Sequence, residues 1–202
     1  LLRGLAAPNL RWVGYASASS VYGDTDGAWI DETAPDAPTT SRGHKRIAAE
    51  ADWQSFAEDH AIPVARFRIA GIYGPGRSVF EALRAGRAQR VVKPGQVFNR
   101  IHVDDLGQIV AAAATSCLNG PLILSDLEPA PMADVTAYGA QLLGLPCPPT
   151  IPFDSADLSP MARSFYAENK RLKSCRIGPD LGVTLSYPDY RTGLTAILKG
   201  QA

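Results

Sequence analysis

Two kinds of side chain in the first fifty residues have the type and spacing to do chemistry. Ser17 and Ser19 follow a short apolar run over residues 11–16. Hydroxyls at the end of a strand can hold a substrate oxygen, because each is both donor and acceptor. Arg42 and Arg46 then stand four residues apart in a helix-like stretch, so they share one face. A guanidinium stays protonated near neutral pH and cannot shuttle a proton. It binds instead, presenting a planar fork to a carboxylate, a phosphate or a ribose hydroxyl. His44 and Lys45 complete a basic cluster near a helix start, where cations oppose the helix dipole. The cluster reads either as an anion site or as a solvated face with Arg46 paired to Glu50 at i,i+4. The second reading is favoured, since charge runs are usually surface.

The elements that position these groups follow from pattern. The apolar run at 11–16 lacks alternation, as expected of a central parallel strand covered on both faces. Residues 23–41 are rich in Asp, Thr, Pro and Gly, which is loop chemistry. A helix is expected over 42–60, with Ile47, Ala48, Ala51, Phe56 and Ala57 inside and Glu50, Asp52, Glu58 and Asp59 outside. A second buried strand follows at 62–70, ending in the Gly-rich turn of Gly71, Gly74 and Gly76. Strand, helix, strand in this order makes a right-handed parallel crossover the default. A helix over 1–7, a weak helix over 78–88, short strands near 91–92, 97–101 and 122–124, and helices over 105–118, 132–143 and from about 189 complete the reading. Asp104 is the expected N-cap of the third of these. Residues 146–160 are Pro-rich and read as a surface crossing.

Four landmarks lie in order along this scaffold: YASASSVYG at 15–23; Glu32, Pro35 and Pro38; RIAGIYGPG at 68–76; and RIHVDDLGQIVAAA at 100–113. Together they resemble the extended short-chain dehydrogenase/reductases, the NAD-dependent epimerase/dehydratase family. The resemblance implies an α/β fold, the C-terminal part of a Rossmann-like parallel sheet with flanking helices and a small substrate lobe. The core is expected over 1–73 with 102–124 returning to it, and the lobe over 74–101 and 125–202. The family uses a Tyr and a Lys at Y-x-x-x-K beside a Ser or Thr. Counting four on from Pro38 and eight back from Glu50 places that Tyr at Arg42 and the Lys at Arg46. The family's hydroxyl falls on Ala18. The triad is therefore replaced, and the expected catalytic positions are Ser17, Ser19, Arg42 and Arg46; strand alternation turns both serines away from the side of Ala18 unless the turn that follows brings one back. The resemblance implies an NAD or NADP cofactor against Ala16, Ser17, Arg46, Ala70, Gly71 and Ile72. It implies substrate contacts at Tyr22, Arg42, Phe98 and Arg100. Phe98 stands where nucleotide-sugar enzymes of the family often carry an Arg, which weakens that substrate class. Tyr22, Tyr73 and His102 are read as packing residues, and Asp105 as a solvated neighbour of Asp104.

Composition narrows the classes. Lys and Arg balance Asp and Glu at 20 each, so nothing global favours nucleic acid or an acidic membrane. No apolar run is long enough to cross a bilayer. Three widely spaced cysteines suggest neither disulfides nor a zinc site and suit a reducing cytoplasm; no metal is expected. The start lacks a Met and a signal peptide, so the chain reads as one beginning inside a longer protein. No G-x-x-G-x-x-G pyrophosphate turn occurs, and an exposed sheet edge and a homodimer are expected. Three readings stand: an atypical NAD(P)-dependent oxidoreductase of a small-molecule substrate, a non-catalytic dinucleotide or metabolite sensor or scaffold, and a truncated relic.

Overall fold

The computed structural model describes residues 9–200; the helix expected over 1–7 lies outside them. Three parallel strands form the centre: β1 (Val13–Ala18), β3 (Val64–Ile69) and β7 (Gly120–Leu124), in the order β1-β3-β7. Val13 pairs with Val64 and Ala18 with Ile69, while Ala65 pairs with Gly120 and Ile69 with Leu124. The strand, helix, strand reading of the first seventy residues is thus correct. Between β1 and β3 run the two-residue β2 (Trp29–Ile30) and the long helix α1 (Ser41–His60). Thr40 caps α1 by accepting from the Gly43 N–H at 3.1 Å, which satisfies one orphan donor of its first turn.

β3 explains how two arginines enter a central strand. Its sequence alternates, and so do its faces. Ala65, Phe67 and Ile69 pack with Ile109, Ala113, Leu122 and Leu124, the side covered by α3 (Val103–Thr115). Arg66 and Arg68 point the other way, to Glu50 of α1. Glu50 is therefore not outside, as its place among charged residues suggested: it is 2% exposed. Burying Arg68 requires a carboxylate beside it, and the helix rotates to supply one. Ala48 and Ala51, expected inside, are exposed as a result.

A second short parallel pair, β4 (Gly71–Tyr73) with β6 (Arg100–His102), continues from the sheet. Around it lies the lobe: α2 (Val79–Arg84), β5 (Arg90–Val92), α4 (Met132–Leu142), β8 (Thr150–Pro152), α5 (Pro160–Ser164), β9 (Arg171–Leu172), α6 (Ile177–Leu181) and α7 (Tyr190–Gly200). α2, α4 and α7 share a core of Phe80, Leu83, Val135, Ala140, Leu194 and Ile197. The expected crossing at 146–160 contains β8, which pairs with β5. Two expectations at α3 are reversed. His102, not Asp104, is the N-cap, its Nδ1 accepting from the Asp104 N–H at 3.2 Å. Asp105 is fully buried and accepts from the Ser186 and Tyr187 N–H groups at 2.8 and 2.9 Å. It ties the tail to the core, while Asp104 faces solvent.

Among the described residues no helix is long and apolar enough to cross a membrane.

Candidate functional site

A cleft of about 740 Å³ opens between the carboxyl ends of β1 and β3 and the lobe. Ligands of parallel α/β sheets bind at this end of the strands, because the loops and helix N-termini that can be varied lie there. Three parts form its sheet side: Ala18, Ser19 and Ser20 at the end of β1; Ile69 to Tyr73 from the end of β3 onward; and Thr40 with Arg42 at the start of α1.

The two flanking serines separate in space. Ser17 is still in the strand and points to α1, where its hydroxyl donates to Glu50 Oε1 at 2.5 Å. It is 4% exposed and does not line the cleft. Ser19 begins a 3-10 turn over Ser19–Tyr22, so the turn breaks the alternation and brings Ser19 to the cleft beside Ala18. Ser20, not singled out from the sequence as a site residue, also lines the cleft, and its buried Oγ has no hydrogen-bond partner. The signal for it was present in the run of serines ahead of Val21. Gly43 fixes this turn against α1: a Cβ there would stand 2.5 Å from the Ser20 carbonyl oxygen and 2.8 Å from Pro38 Cβ.

Behind the turn lies a charged stack. Arg68 Nη2 donates to Glu50 Oε2 at 2.8 Å and its Nε to Oε1 at 3.3 Å, while Nη1 pairs with Asp36 at 2.8 Å. Its guanidinium lies 4.7 Å over the Tyr22 ring, a cation–π contact. Tyr22 is 1% exposed and outside the cleft lining. Burial pushes its phenol up to about 12, against the pull of the Arg68 cation, so it stays protonated at neutral pH. Tyr73 does line the cleft, but its hydroxyl meets the Asp189 carbonyl at 3.4 Å. Burial raises it too.

The two helix arginines do different things. Arg42 reaches across the cleft, its Nη2 donating to Ser164 Oγ at 3.3 Å and its guanidinium 4.8 Å over the Phe165 ring. Thr39 makes a parallel bridge to Glu168 at 3.0 Å. Arg46 does not pair with Glu50. Its Nη1 donates to the Ala16 carbonyl at 2.9 Å and to Tyr15 Oη at 3.1 Å, on the strand that forms one edge of the sheet. Ala70, Gly71, Ile72, Phe98 and Arg100 all line the cleft; Ala16 and Arg46 do not. His102 is buried with Nε2 unpartnered, packed against the Tyr187 and Tyr73 rings at 3.9 and 5.2 Å.

The lining is apolar with a cationic excess: Arg42, Arg77, Arg87, Arg100 and Lys170 against the one acid Glu168 among the described residues. Lys170 and Glu168 pair with each other at 2.7 Å, so the arginines remain to attract an anion.

The model of the NAD dependent epimerase/dehydratase family matches residues 1–122. The chain belongs to this family. Over 180 residues it is 32% identical to the 3-diazoavenalumate denitrifying reductase of a Streptomyces species, covering 82% of this chain and 58% of that protein. The chain thus spans somewhat under three-fifths of that relative's length. A solved structure of a functionally unknown conserved protein from Silicibacter pomeroyi DSS superposes with a TM-score of 0.90 at 51% identity, over 98% of this chain and 69% of that one. MoeE5 in complex with UDP-glucuronic acid and NAD gives a TM-score of 0.76 at 23% identity, over 96% of this chain and 66% of its own, a likeness of fold.

The family's cofactor is a nicotinamide dinucleotide. The sheet end fits the nicotinamide: Ala18, Ala70 and Gly71 offer a floor of small side chains, and the unpartnered Ser20 hydroxyl stands beside it.

Proposed function

We propose that this chain forms the substrate-binding and nicotinamide-facing part of an NAD(P)-dependent oxidoreductase acting on a small anionic molecule with an apolar body. The observation that carries the reading is the arginine-rich, otherwise apolar cleft at the strand ends of an epimerase/dehydratase-family chain. The relative whose name marks it as a reductase of an anion supports it.

NAD or NADP, held over Ala18, Ala70, Gly71 and Ile72, gives or takes a hydride when bound. Arg46, whose Nη1 donates to the Ala16 carbonyl and Tyr15 Oη, takes the place of the family's Lys and would offer its fork to the ribose hydroxyls. Ser19 and Ser20 orient the substrate oxygen by hydrogen bonding. Arg42 occupies the place of the family's proton-exchanging phenol, yet it cannot release a proton near pH 7. Its role is electrostatic: a fixed cation stabilises negative charge developing on the substrate oxygen. The proton then comes from water entering the open cleft. In the competing reading the site binds without turnover, and the methyl of Ala18 in place of a hydroxyl favours it.

The test is turnover of NADH and NADPH by the whole protein on a panel of aromatic and aliphatic keto acids. We expect oxidation of one cofactor, with Arg42→Met lowering kcat by roughly 10²-fold at unchanged melting temperature and Arg42→Lys recovering part. Cofactor binding without turnover on any member of the panel would establish the binding reading instead.

A further inference from the structure

Two cations of the cleft lining are buried, Lys170 and Arg100, and Lys170 is answered by Glu168 at 2.7 Å. Arg100 lies on β6, is 6% exposed and lines the cleft wall. Its Nη1 is committed to the carbonyls of Phe98 at 2.8 Å and Ala130 at 3.1 Å. Its Nη2 meets only the Met132 sulfur, at 3.9 Å. Among the described residues it forms no ion pair. A desolvated guanidinium without a carboxylate is costly to keep, and nothing in the packing of the lobe requires a charge there. The carbonyls of Phe98 and Ala130 already bond each other's N–H groups, so Arg100 is not needed to satisfy them.

We propose that Arg100 anchors a single carboxylate of the substrate, so that the cleft takes a monoanionic carboxylic acid with an apolar body rather than a nucleoside diphosphate. This rests on the reading of the cleft as the site for a small anionic molecule. One buried cation with a free nitrogen matches one planar anion. A diphosphate brings further charge that the surrounding Val97, Met132, Val135 and Leu194 cannot answer. Arg42, Arg77 and Arg87 are exposed and hold their charge in water.

Asp126 gives the anchor a distinctive pH signature. Its N–H donates to the Arg100 carbonyl at 2.6 Å, and both its carboxyl oxygens are buried without a hydrogen-bond partner. The charged or titratable groups acting on it are Arg100 from β6, Tyr73 from β4, Glu128 in the loop after β7, and Asp189 just before α7. Burial raises its carboxyl to about 8. At pH 7 it is mostly neutral and leaves the Arg100 charge to the ligand. Above pH 8 it ionises and neutralises Arg100 from behind.

The experiment is calorimetric titration of the whole protein with 3-phenylpropanoate, its neutral amide, inorganic phosphate and UDP. At pH 7 we expect the acid to bind at least tenfold tighter than the amide. Arg100→Gln should lose that preference and Arg100→Lys keep part of it. From pH 7 to 9 the acid should weaken several-fold in the parent and stay constant in Asp126→Asn, a readout that leaves Arg100 in place if the Gln variant folds poorly. Equal binding of acid and amide, or full acid binding by Arg100→Gln, overturns the anchor. UDP binding tighter than the acid and insensitive to Arg100 overturns the carboxylate assignment alone. No binding by any probe, together with no turnover on the keto-acid panel, removes the underlying reading as well.

Discussion

Glu50→Ala tests the stack that holds the carboxyl end of β1. Glu50 and Arg68 are each 2% exposed and joined by two hydrogen bonds at 2.8 and 3.3 Å. Removing one member of such a buried pair typically destabilises by about 3–5 kcal/mol, because the other charge stays buried. Here the loss sits at about 3 kcal/mol, since Arg68 keeps Asp36 at 2.8 Å, and that carboxylate is partly in water, with 41% of its side chain exposed. The Ser17 hydroxyl loses its acceptor as well, adding about 1 kcal/mol. The sum is about 4 kcal/mol. With a urea dependence of about 2 kcal/mol per molar, the midpoint should fall by roughly 2 M in equilibrium unfolding followed by tryptophan fluorescence. Glu50→Leu with Arg68→Met, which strands only the partly exposed Arg66 and Asp36, should recover most of that loss. A midpoint shift under about 0.5 M for Glu50→Ala would refute the view that this carboxylate holds Arg68, and through it Tyr22 and the serine turn.

Three further outcomes are expected. Burial raises Asp126 to about 8 from an ordinary 3.8, so its contribution to stability is fully present below about pH 4 and is lost as pH rises to about 8. Asp126→Asn should therefore gain on the parent in urea midpoint across that window and then level off; a pH-independent difference contradicts it. Gly43→Ala places a methyl against the Ser20 carbonyl oxygen and should destabilise by about 1–3 kcal/mol, with its melting temperature as the check; no change means the turn has room to retreat. Glu32 is 8% exposed and accepts from Ile123 N–H at 3.0 Å, Ser174 Oγ at 2.5 Å and Cys175 N–H at 2.9 Å. Glu32→Ala orphans these donors and should cost about 2–4 kcal/mol. Amide exchange at Ile123 and Cys175 should quicken selectively, and uniform quickening would argue for global loosening instead.

How much was legible depends on whether a property is local. The strands β1 and β3, helix α1 and their parallel pairing followed from apolar runs, loop composition and connection order, all of which are read along the chain. Counting between Pro38 and Glu50 singled out Arg42, which lines the cleft, and the run after Ala16 put serines near the end of β1. Errors began where a charge was assigned by its sequence neighbours. Glu50 sits among polar residues and looked exposed, yet the alternation of Arg66 and Arg68 in β3 required a buried acid on the facing helix. Asp104 and Asp105 are adjacent and chemically alike, so only the tertiary position of residues 186–187 decides which one is buried. Ser19 and Ser20 turned on whether the strand continued or coiled, a choice of one residue that alternation cannot make. Arg100 shows the same limit from the opposite direction. The resemblance already placed Arg100 among the substrate contacts, but only its burial without an ion pair, seen in the folded chain, sets its charge apart from that of the other cleft arginines. A guanidinium in a folded interior is defined by what answers it. The proposed anchor therefore rests on a pairing that the folded chain leaves open.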